Sequence, residues 1–214
     1  MGIILFDEVQ DLLDNGTSVD EIFEWVDDPF ENIRRVRLND KYNFINSKNK
    51  LLSTKWYEDA GRFGGHVHEK VVAGFAIVYD NHKMNLINTK GELICSQWFD
   101  EIYYFFNNFA VVSLNDKYNY INIKGKLVSD HWFDYVDRDG NNTLIKKYMV
   151  AYVRMVEPYH TENLLDLKTG KLLLDEKIID DIDGLTNLDD GILTINANNK
   201  VNYFVLKTHK FISN

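Results

Sequence analysis

Runs of β-branched and aromatic residues of strand length recur along this chain, separated by short polar pairs. Residues 109–114 read Phe-Ala-Val-Val-Ser-Leu and residues 75–79 read Phe-Ala-Ile-Val-Tyr, the composition that fits a pleated, half-buried strand. The pairs that follow or join such runs, Asn115-Asp116, Asp80-Asn81 and Asn198-Asn199, tolerate the positive φ that a two-residue hairpin demands. A second kind of turn carries Lys90-Gly91, Lys124-Gly125 and Thr169-Gly170, with Asn49 in the glycine's place in the first instance. Aliphatic pairs or triplets come next, Leu93-Ile94, Leu127-Val128 and Leu172-Leu173-Leu174, and predict a third strand. Only the first thirty residues break this rhythm. There Phe6, Val9, Leu12 and Leu13 fall at helical spacing and stop at Asn15-Gly16; Val19, Ile22, Phe23 and Val26 form a second stripe that ends at Asp27-Asp28-Pro29. Ser18 and Glu21 have the spacing of a capping box at its start.

The rhythm is a repeat. Asn43, Asn85, Asn119, Asn163 and Asn202 are separated by 42, 34, 44 and 39 residues, a period typical of stacked supersecondary units. Around the first three the sequence is nearly constant: Lys41-Tyr42-Asn43-Phe44-Ile45-Asn46, Lys83-Met84-Asn85-Leu86-Ile87-Asn88 and Lys117-Tyr118-Asn119-Tyr120-Ile121-Asn122. Thirteen residues after each asparagine stands a tryptophan, then an aromatic and an acid: Trp56-Tyr57-Glu58, Trp98-Phe99-Asp100 and Trp132-Phe133-Asp134. The fourth unit has Glu176 at that spacing. The predicted fold is therefore mainly β, an array of about five three-stranded antiparallel repeat units behind a short N-terminal α-helical cap. The cap covers residues 1–32 and the β-repeat domain residues 33–214, with units at about 33–70, 71–105, 106–146, 147–184 and 185–214. One such unit cannot bury its apolar face alone, so neighbours must stack, and a cap keeps the terminal strand edge from pairing with other chains.

These residues resemble the WG repeat: a Lys-aromatic-Asn-aromatic-Ile-Asn core, a Lys-Gly turn, an aliphatic pair, an aromatic-acid step and a Phe-Ala-Val strand. The resemblance spans roughly residues 33–214. The Trp-Gly pair that gives such repeats their name is Tyr-Asn, Met-Asn or Val-Asn here, and the fourth unit keeps only Asn163. What the resemblance implies is a binding array, with no particular enzyme class.

Composition narrows the setting. No apolar run approaches the roughly 20 residues that cross a bilayer. Met1-Gly2-Ile3-Ile4-Leu5-Phe6 has no basic region or cleavage site, and Phe6 stands where a myristoylation signal wants Ser or Thr. The single Cys95 beside Ile94 reads as a buried strand thiol, and a chain without disulfides suits a reducing cytoplasm. Abundant Asn, Lys, Ile and Tyr suggest an AT-rich bacterial or viral genome.

Charge changes the picture more. Ten acids precede the first basic residue, Arg34, whereas residues 34–214 hold 24 basic and 23 acidic side chains. The cap thus carries nearly all of the chain's net charge of −9. A solvated helix face usually mixes both signs, so the cap reads as a negative patch for a basic partner. The candidate partner-binding residues are Asp7, Glu8, Asp11, Asp14, Asp20, Glu21, Glu24, Trp25, Asp27 and Asp28, with Trp25 as an apolar anchor. Insertions at residues 60–72 and 137–147, in matching places of units one and three, read as loops on one side of the array.

Other chemistry is thinner. His66-Val67-His68-Glu69 offers a His-x-His pair, but a firm metal site needs three or four ligands, so no metal or other cofactor is expected. The aromatic-acid steps repeat at equivalent places, which points to a structural job and not to a convergent carboxylate pair. Tyr103-Tyr104-Phe105-Phe106 could stack bases, yet the lysines are scattered and the β portion is nearly neutral, unlike a nucleic-acid binder. The expectation is a non-enzymatic protein-binding module that docks its acidic cap and inserted loops on a basic protein surface, with no direct nucleic-acid or membrane contact. Its specific form is an inhibitor, of phage anti-defence or immunity type, acting on a nucleic-acid enzyme. A recognition array binding peptides or glycans along its aromatic turns is the alternative, and a hydrolase ranks last.

Overall fold

The structure, a computed structural model, describes residues 4–64, 66–67, 70–71, 74–138, 147–155, 161–174, 179–183, 191–197 and 200–212. The chain forms two compact units, Met1–Tyr104 and Phe105–Asn214. The fold is mainly β, built from antiparallel sheets.

In the first unit, helices α1 (Val9–Asp14) and α2 (Val19–Ile22) lead into the short strand β1 (Trp25–Val26), then β2 (Ile33–Leu38) and β3 (Lys41–Asn46). These three strands form the first sheet. Strand β4 (Asp59–Ala60) belongs to the second sheet with β7 (Phe75–Asp80) and β8 (Lys83–Asn88); between them β5 (His66–Val67) and β6 (Lys70–Val71) make a separate hairpin. Strand β9 (Glu101–Phe106) carries the chain across into the second unit. There β10 (Phe109–Leu114) and β11 (Lys117–Asn122) complete its sheet, followed by β12 (Tyr135–Val136), β13 (Val150–Met155) and β14 (Thr161–Asp166). The last sheet has four strands: β15 (Ile179–Asp183), β16 (Ile192–Ala197), β17 (Lys200–Val205) and β18 (Lys210–Phe211).

Each repeat is organised by its asparagine. Asn43, Asn85, Asn119 and Asn163 are fully buried and use the side-chain amide alike. The Nδ2 of Asn43 donates to the carbonyls of Ser53 and Lys55 at 2.8 and 3.3 Å. Asn85 does the same to Cys95 and Gln97, both at 3.0 Å, and Asn119 to Ser129 and His131, both at 2.9 Å. Each Oδ1 accepts the next residue's backbone N–H, that of Phe44, Leu86, Tyr120 or Leu164, at 2.7–2.8 Å. The amide thereby pins the loop after the Lys-Gly turn to the strand, satisfying buried backbone groups that otherwise lack partners. Asn163 reaches the Leu174 carbonyl at 2.9 Å, whereas Asn202 is only half-buried and bonds the Lys200 carbonyl at 3.3 Å.

The expected third strand is placed differently. Leu51, Leu93, Leu127 and Leu172 each make a single bridge to Ile45, Ile87, Ile121 and Leu165, and the chain then leaves the sheet. The asparagine claims the carbonyls that a continuing ladder would use. The third strand comes instead from beyond the aromatic-acid step: Asp59 and Ala60 pair with Tyr79 and Val78 of the following repeat. Tyr57, Phe99 and Phe133 bridge back to Tyr42, Met84 and Tyr118 within their own repeats. Tyr57 and Ala60 thus fasten one repeat to the next, a structural job for the aromatic-acid step.

Turn chemistry follows the backbone. The hairpin pairs Asn39-Asp40, Asn81-His82 and Asn115-Asp116 all have φ between 49° and 60°, the doubly positive geometry of a tight hairpin. In the second repeat the turn is therefore one residue later than Asp80-Asn81, while Asn198-Asn199 lies outside the described residues. Gly91, at φ +82°, packs on the preceding repeat; a Cβ there would overlap the Leu52 carbonyl oxygen. Gly170 meets Val128 in the same way. Asn49 fits in the first repeat because what precedes it is the cap, and its Oδ1 accepts from Arg34 at 2.8 Å.

The helical cap seals the first sheet. Val9, Leu13, Val19, Ile22 and Phe23 bury against Val36, Leu38 and Ile45, and Phe6 stacks on Trp56 at 4.7 Å between centroids. The second helix is shorter than its apolar stripe: Phe23 is already extended, and Trp25 and Val26 pair with Arg37 and Val36. Pairing the edge of β2 outweighs helical periodicity over four residues. Cys95 is half-buried in the loop after Leu93, not in a strand, and donates to the Gln97 carbonyl at 3.2 Å.

Candidate functional site

The acids of the cap divide by what they touch. Asp27 lies under the cap with its side chain only 9 % exposed, held by Arg35 at 3.4 Å and by the Arg62 guanidinium, which reaches both carboxylate oxygens. That bond raises the Arg62 pKa above its ordinary value. Asp14 pairs with Lys50 and accepts from Gln10 Nε2 at 2.6 Å; the Lys50 hydrogen bond holds its carboxyl below the usual range. Glu24 lies 3.9 Å from Arg37 and accepts the Asn39 N–H at 3.1 Å. Glu21 closes the capping box, accepting the Ser18 N–H at 3.1 Å, and Glu8 accepts the Leu5 N–H at 3.3 Å.

Trp25 is 39 % exposed on the edge strand β1, with the Arg35 guanidinium 4.9 Å above its ring. It takes part in a cation–π stack from this edge strand. Asp7, Asp11, Asp20 and Asp28 are exposed and form no salt bridge among the described residues. Arg35, Arg37, Lys50 and Arg62, the counter-charges, were missed by counting acids alone. The signal for two of these four was present: Arg35 and Arg37 follow the acidic segment directly, and alternation places them on one face.

Of the outward acids, Asp7 lines a groove between α1 and the first repeat's loop. It is lined by Phe6, Asp7, Gln10, residues 51–54 and Trp56 and has a volume of about 540 Å³. Its floor is the Phe6–Trp56 stack. Gln10 is already committed, its Oε1 accepting the Leu51 N–H at 2.8 Å, so Asp7 supplies the groove's negative charge. Such a groove suits a side chain with an apolar stem and a cationic head.

Of the inserted segments, residues 66–67 and 70–71 form the β5–β6 hairpin, while His68, Glu69 and residues 139–146 lie outside the described residues. Among the described residues no cluster of His, Cys, Asp or Glu gathers that could hold a metal ion, and no helix is long and apolar enough to cross a membrane.

A search of curated proteins finds no match. Among solved structures the chain is similar to KlHsv2 with loop 6CD replaced by a Gly-Ser linker (11% identity over 83% of this chain and 75% of that one, TM-score 0.31). It is also similar to Hsv2p of Kluyveromyces lactis (12% identity, 85% and 74%, TM-score 0.28). Likeness at this level supports no argument about the chain. Residues 86–118 match the family described as WG containing repeat. They run from the buried strand after Asn85, through Gly91 and Trp98, to the start of the strand bearing Asn119, and the same asparagine-pinned hairpin recurs on either side of this WG-containing repeat.

Proposed function

We propose that this protein is a non-enzymatic binding module whose cap docks on a basic surface of another protein. The observation that carries the reading is the exposed carboxylate of Asp7 on the groove lined by Phe6 and Trp56, with Asp11, Asp20 and Asp28 likewise exposed on the same acidic segment. Exposed carboxylates outside any salt bridge contribute long-range attraction, which speeds encounter with a cationic partner and rejects like-charged ones. The groove adds a place for one Lys or Arg side chain to lay its stem on aromatic rings. The specific form of this reading is an inhibitor that covers the positively charged groove of a nucleic-acid enzyme, as a phage anti-defence or immunity-type protein would, in the cytoplasm.

The test is a pull-down from lysate of the native host at low and high salt, using the intact chain and a variant with Asp7→Asn, Asp11→Asn, Asp20→Asn and Asp28→Asn. These four have no internal ion pair, so the variant keeps the fold that replacing Asp27 would disturb. A partner retained at low salt, released at high salt and lost with the variant supports the reading. One that is retained equally by the variant refutes it.

A further inference from the structure

The groove beside α1 is chemically unequal around its rim. Most of its side-chain acceptors are engaged. Gln10 accepts the Leu51 N–H through Oε1 at 2.8 Å and donates from Nε2 to Asp14 at 2.6 Å. The Ser53 hydroxyl accepts the Lys55 N–H at 3.0 Å and lies 3.3 Å from the Tyr57 hydroxyl. The Ser53 carbonyl accepts from Asn43 Nδ2 at 2.8 Å. Among the described residues this leaves the exposed Asp7 carboxylate and the Thr54 hydroxyl. The rest of the lining is apolar: the Phe6–Trp56 stack, with ring planes 22° apart, and the partly buried Leu51 and Leu52. Neighbouring cations do not neutralise Asp7. The Lys50 ammonium pairs with Asp14, and that of Lys55 lies 2.6 Å from Asp80 and 4.7 Å over the Trp98 ring.

These features separate the two cations that could enter. A lysine ammonium is a compact, strongly hydrated charge with three N–H donors, and a flat apolar floor with one carboxylate replaces little of its water. A guanidinium is planar and more weakly hydrated; it stacks on aromatic rings and presents two parallel N–H groups to one carboxylate. The chain already holds one guanidinium in this way: Arg35 lies 4.9 Å from the Trp25 ring centroid, with Asp27 at 3.4 Å. The groove volume of about 540 Å³ falls within the roughly 300–1,000 Å³ of ligand pockets, room for a long side chain and the backbone that carries it.

We propose that this groove is an arginine pocket, which takes one exposed arginine of a partner protein and discriminates against lysine. The inference rests on the docking reading above and names the residue that the partner must present. The guanidinium lies along the Phe6–Trp56 pair and donates two N–H groups to Asp7, while its methylene stem crosses Leu51 and Leu52.

The probes are the tripeptides N-acetyl-Gly-Arg-Gly-amide and N-acetyl-Gly-Lys-Gly-amide, titrated into the isotope-labelled intact chain at low salt and followed by NMR. Saturable shifts of the backbone amides of residues 51–54 and of the Trp56 indole are expected, with the arginine peptide about tenfold tighter than the lysine peptide. Asp7→Asn should weaken the arginine peptide about fivefold, the discounted worth of an exposed pair, and bring the two peptides close together. Phe6→Leu keeps an apolar contact on Trp56 but removes a ring, and should weaken binding about threefold. Asp130→Asn, which removes the same charge from the third repeat, should change nothing. Equal affinity for the two peptides, indifference to Asp7→Asn, or absence of saturable shifts would overturn the proposal. Those outcomes leave the pull-down result standing, because long-range attraction by the other acids needs no pocket. A partner retained by the four-acid variant, conversely, removes the docking reading while the tripeptide titration still decides the pocket.

Discussion

Replacing Asn119 by Ala tests the organising role of the buried asparagine. The side chain is fully buried and makes two donor bonds at 2.9 Å to the Ser129 and His131 carbonyls. It accepts from the Tyr120 N–H at 2.8 Å and, more weakly, from the Ser129 N–H at 3.4 Å. Alanine keeps the strand but strands these backbone groups away from water. Three good bonds at about 1 kcal/mol each, plus desolvation of the unpaired partners, give a loss of about 3–5 kcal/mol. That is a large share of the roughly 5–15 kcal/mol that holds a domain together. Asn202, half-buried with one bond at 3.3 Å, is the control; Asn202→Ala should cost no more than about 0.5 kcal/mol. Urea unfolding followed by circular dichroism and by fluorescence of Trp132, which lies next to the pinned loop, measures both. An Asn119→Ala loss below about 1 kcal/mol, or one equal to that of Asn202→Ala, would refute the reasoning.

Gly91→Ala and Gly170→Ala should each be more destabilising than Gly16→Ala by about 2 kcal/mol or more. All three share the left-handed penalty of about 1–2 kcal/mol, but only the first two drive a methyl into a neighbouring repeat's carbonyl; equal losses in a denaturant series would remove the stacking argument. Asn49→Gly, where no repeat precedes, should leave the midpoint nearly unchanged. Asp27→Asn should cost about 1–2 kcal/mol, discounted because Arg62 is half-exposed, whereas Asp14→Asn should not shift the melt detectably. Equal effects would show that burial does not rank these acids. Burial pushes the Cys95 thiol up, so a thiol reagent at pH 8 should react more slowly with the native chain than with the chain in denaturant. The sign for stability follows: a raised folded pKa contributes stability below the ordinary thiol range and loses it as pH rises through the folded value. Native and denatured rates that coincide would contradict it.

Local signals in the sequence reported local structure well. The asparagine ruler located four buried side chains, because a residue needed for backbone satisfaction tolerates little change in its neighbours. The hairpin pairs were legible for the same reason, since only a few residue types accept two consecutive positive φ values. Non-local pairing was harder to read. The aliphatic pairs such as Leu93-Ile94 look like a strand, but whether they pair further depends on the Asn85 side chain ten residues away. Trp25 and Val26 look helical and become strand because β2 offers an edge. The cap's acids were counted correctly as charge, yet three of them meet Arg35, Arg37, Lys50 or Arg62, partners fixed only by folding.

Exposure compared across equivalent positions says more about this chain than exposure taken alone. A half-exposed tyrosine on a β surface is ordinary, and Tyr203 by itself would call for no comment. Set against Phe44, Leu86, Tyr120 and Leu164, all buried at the same register, it is the member of the series that differs. The same comparison explains the start of the chain. Trp98 lies against Tyr57 and under the Lys55 ammonium, at 6.5 and 4.7 Å, and Trp56 receives Phe6 and Phe23 of the cap instead. The cap therefore substitutes for a preceding repeat, down to Gln10 bonding the Leu51 N–H. The inward residues of the cap hold the fold in that substitution, whereas Asp7, Asp11, Asp20 and Asp28 are exposed. Variants that separate the two roles must be chosen from Asp7, Asp11, Asp20 and Asp28, because changing Asp27 or Glu21 would alter the cap itself.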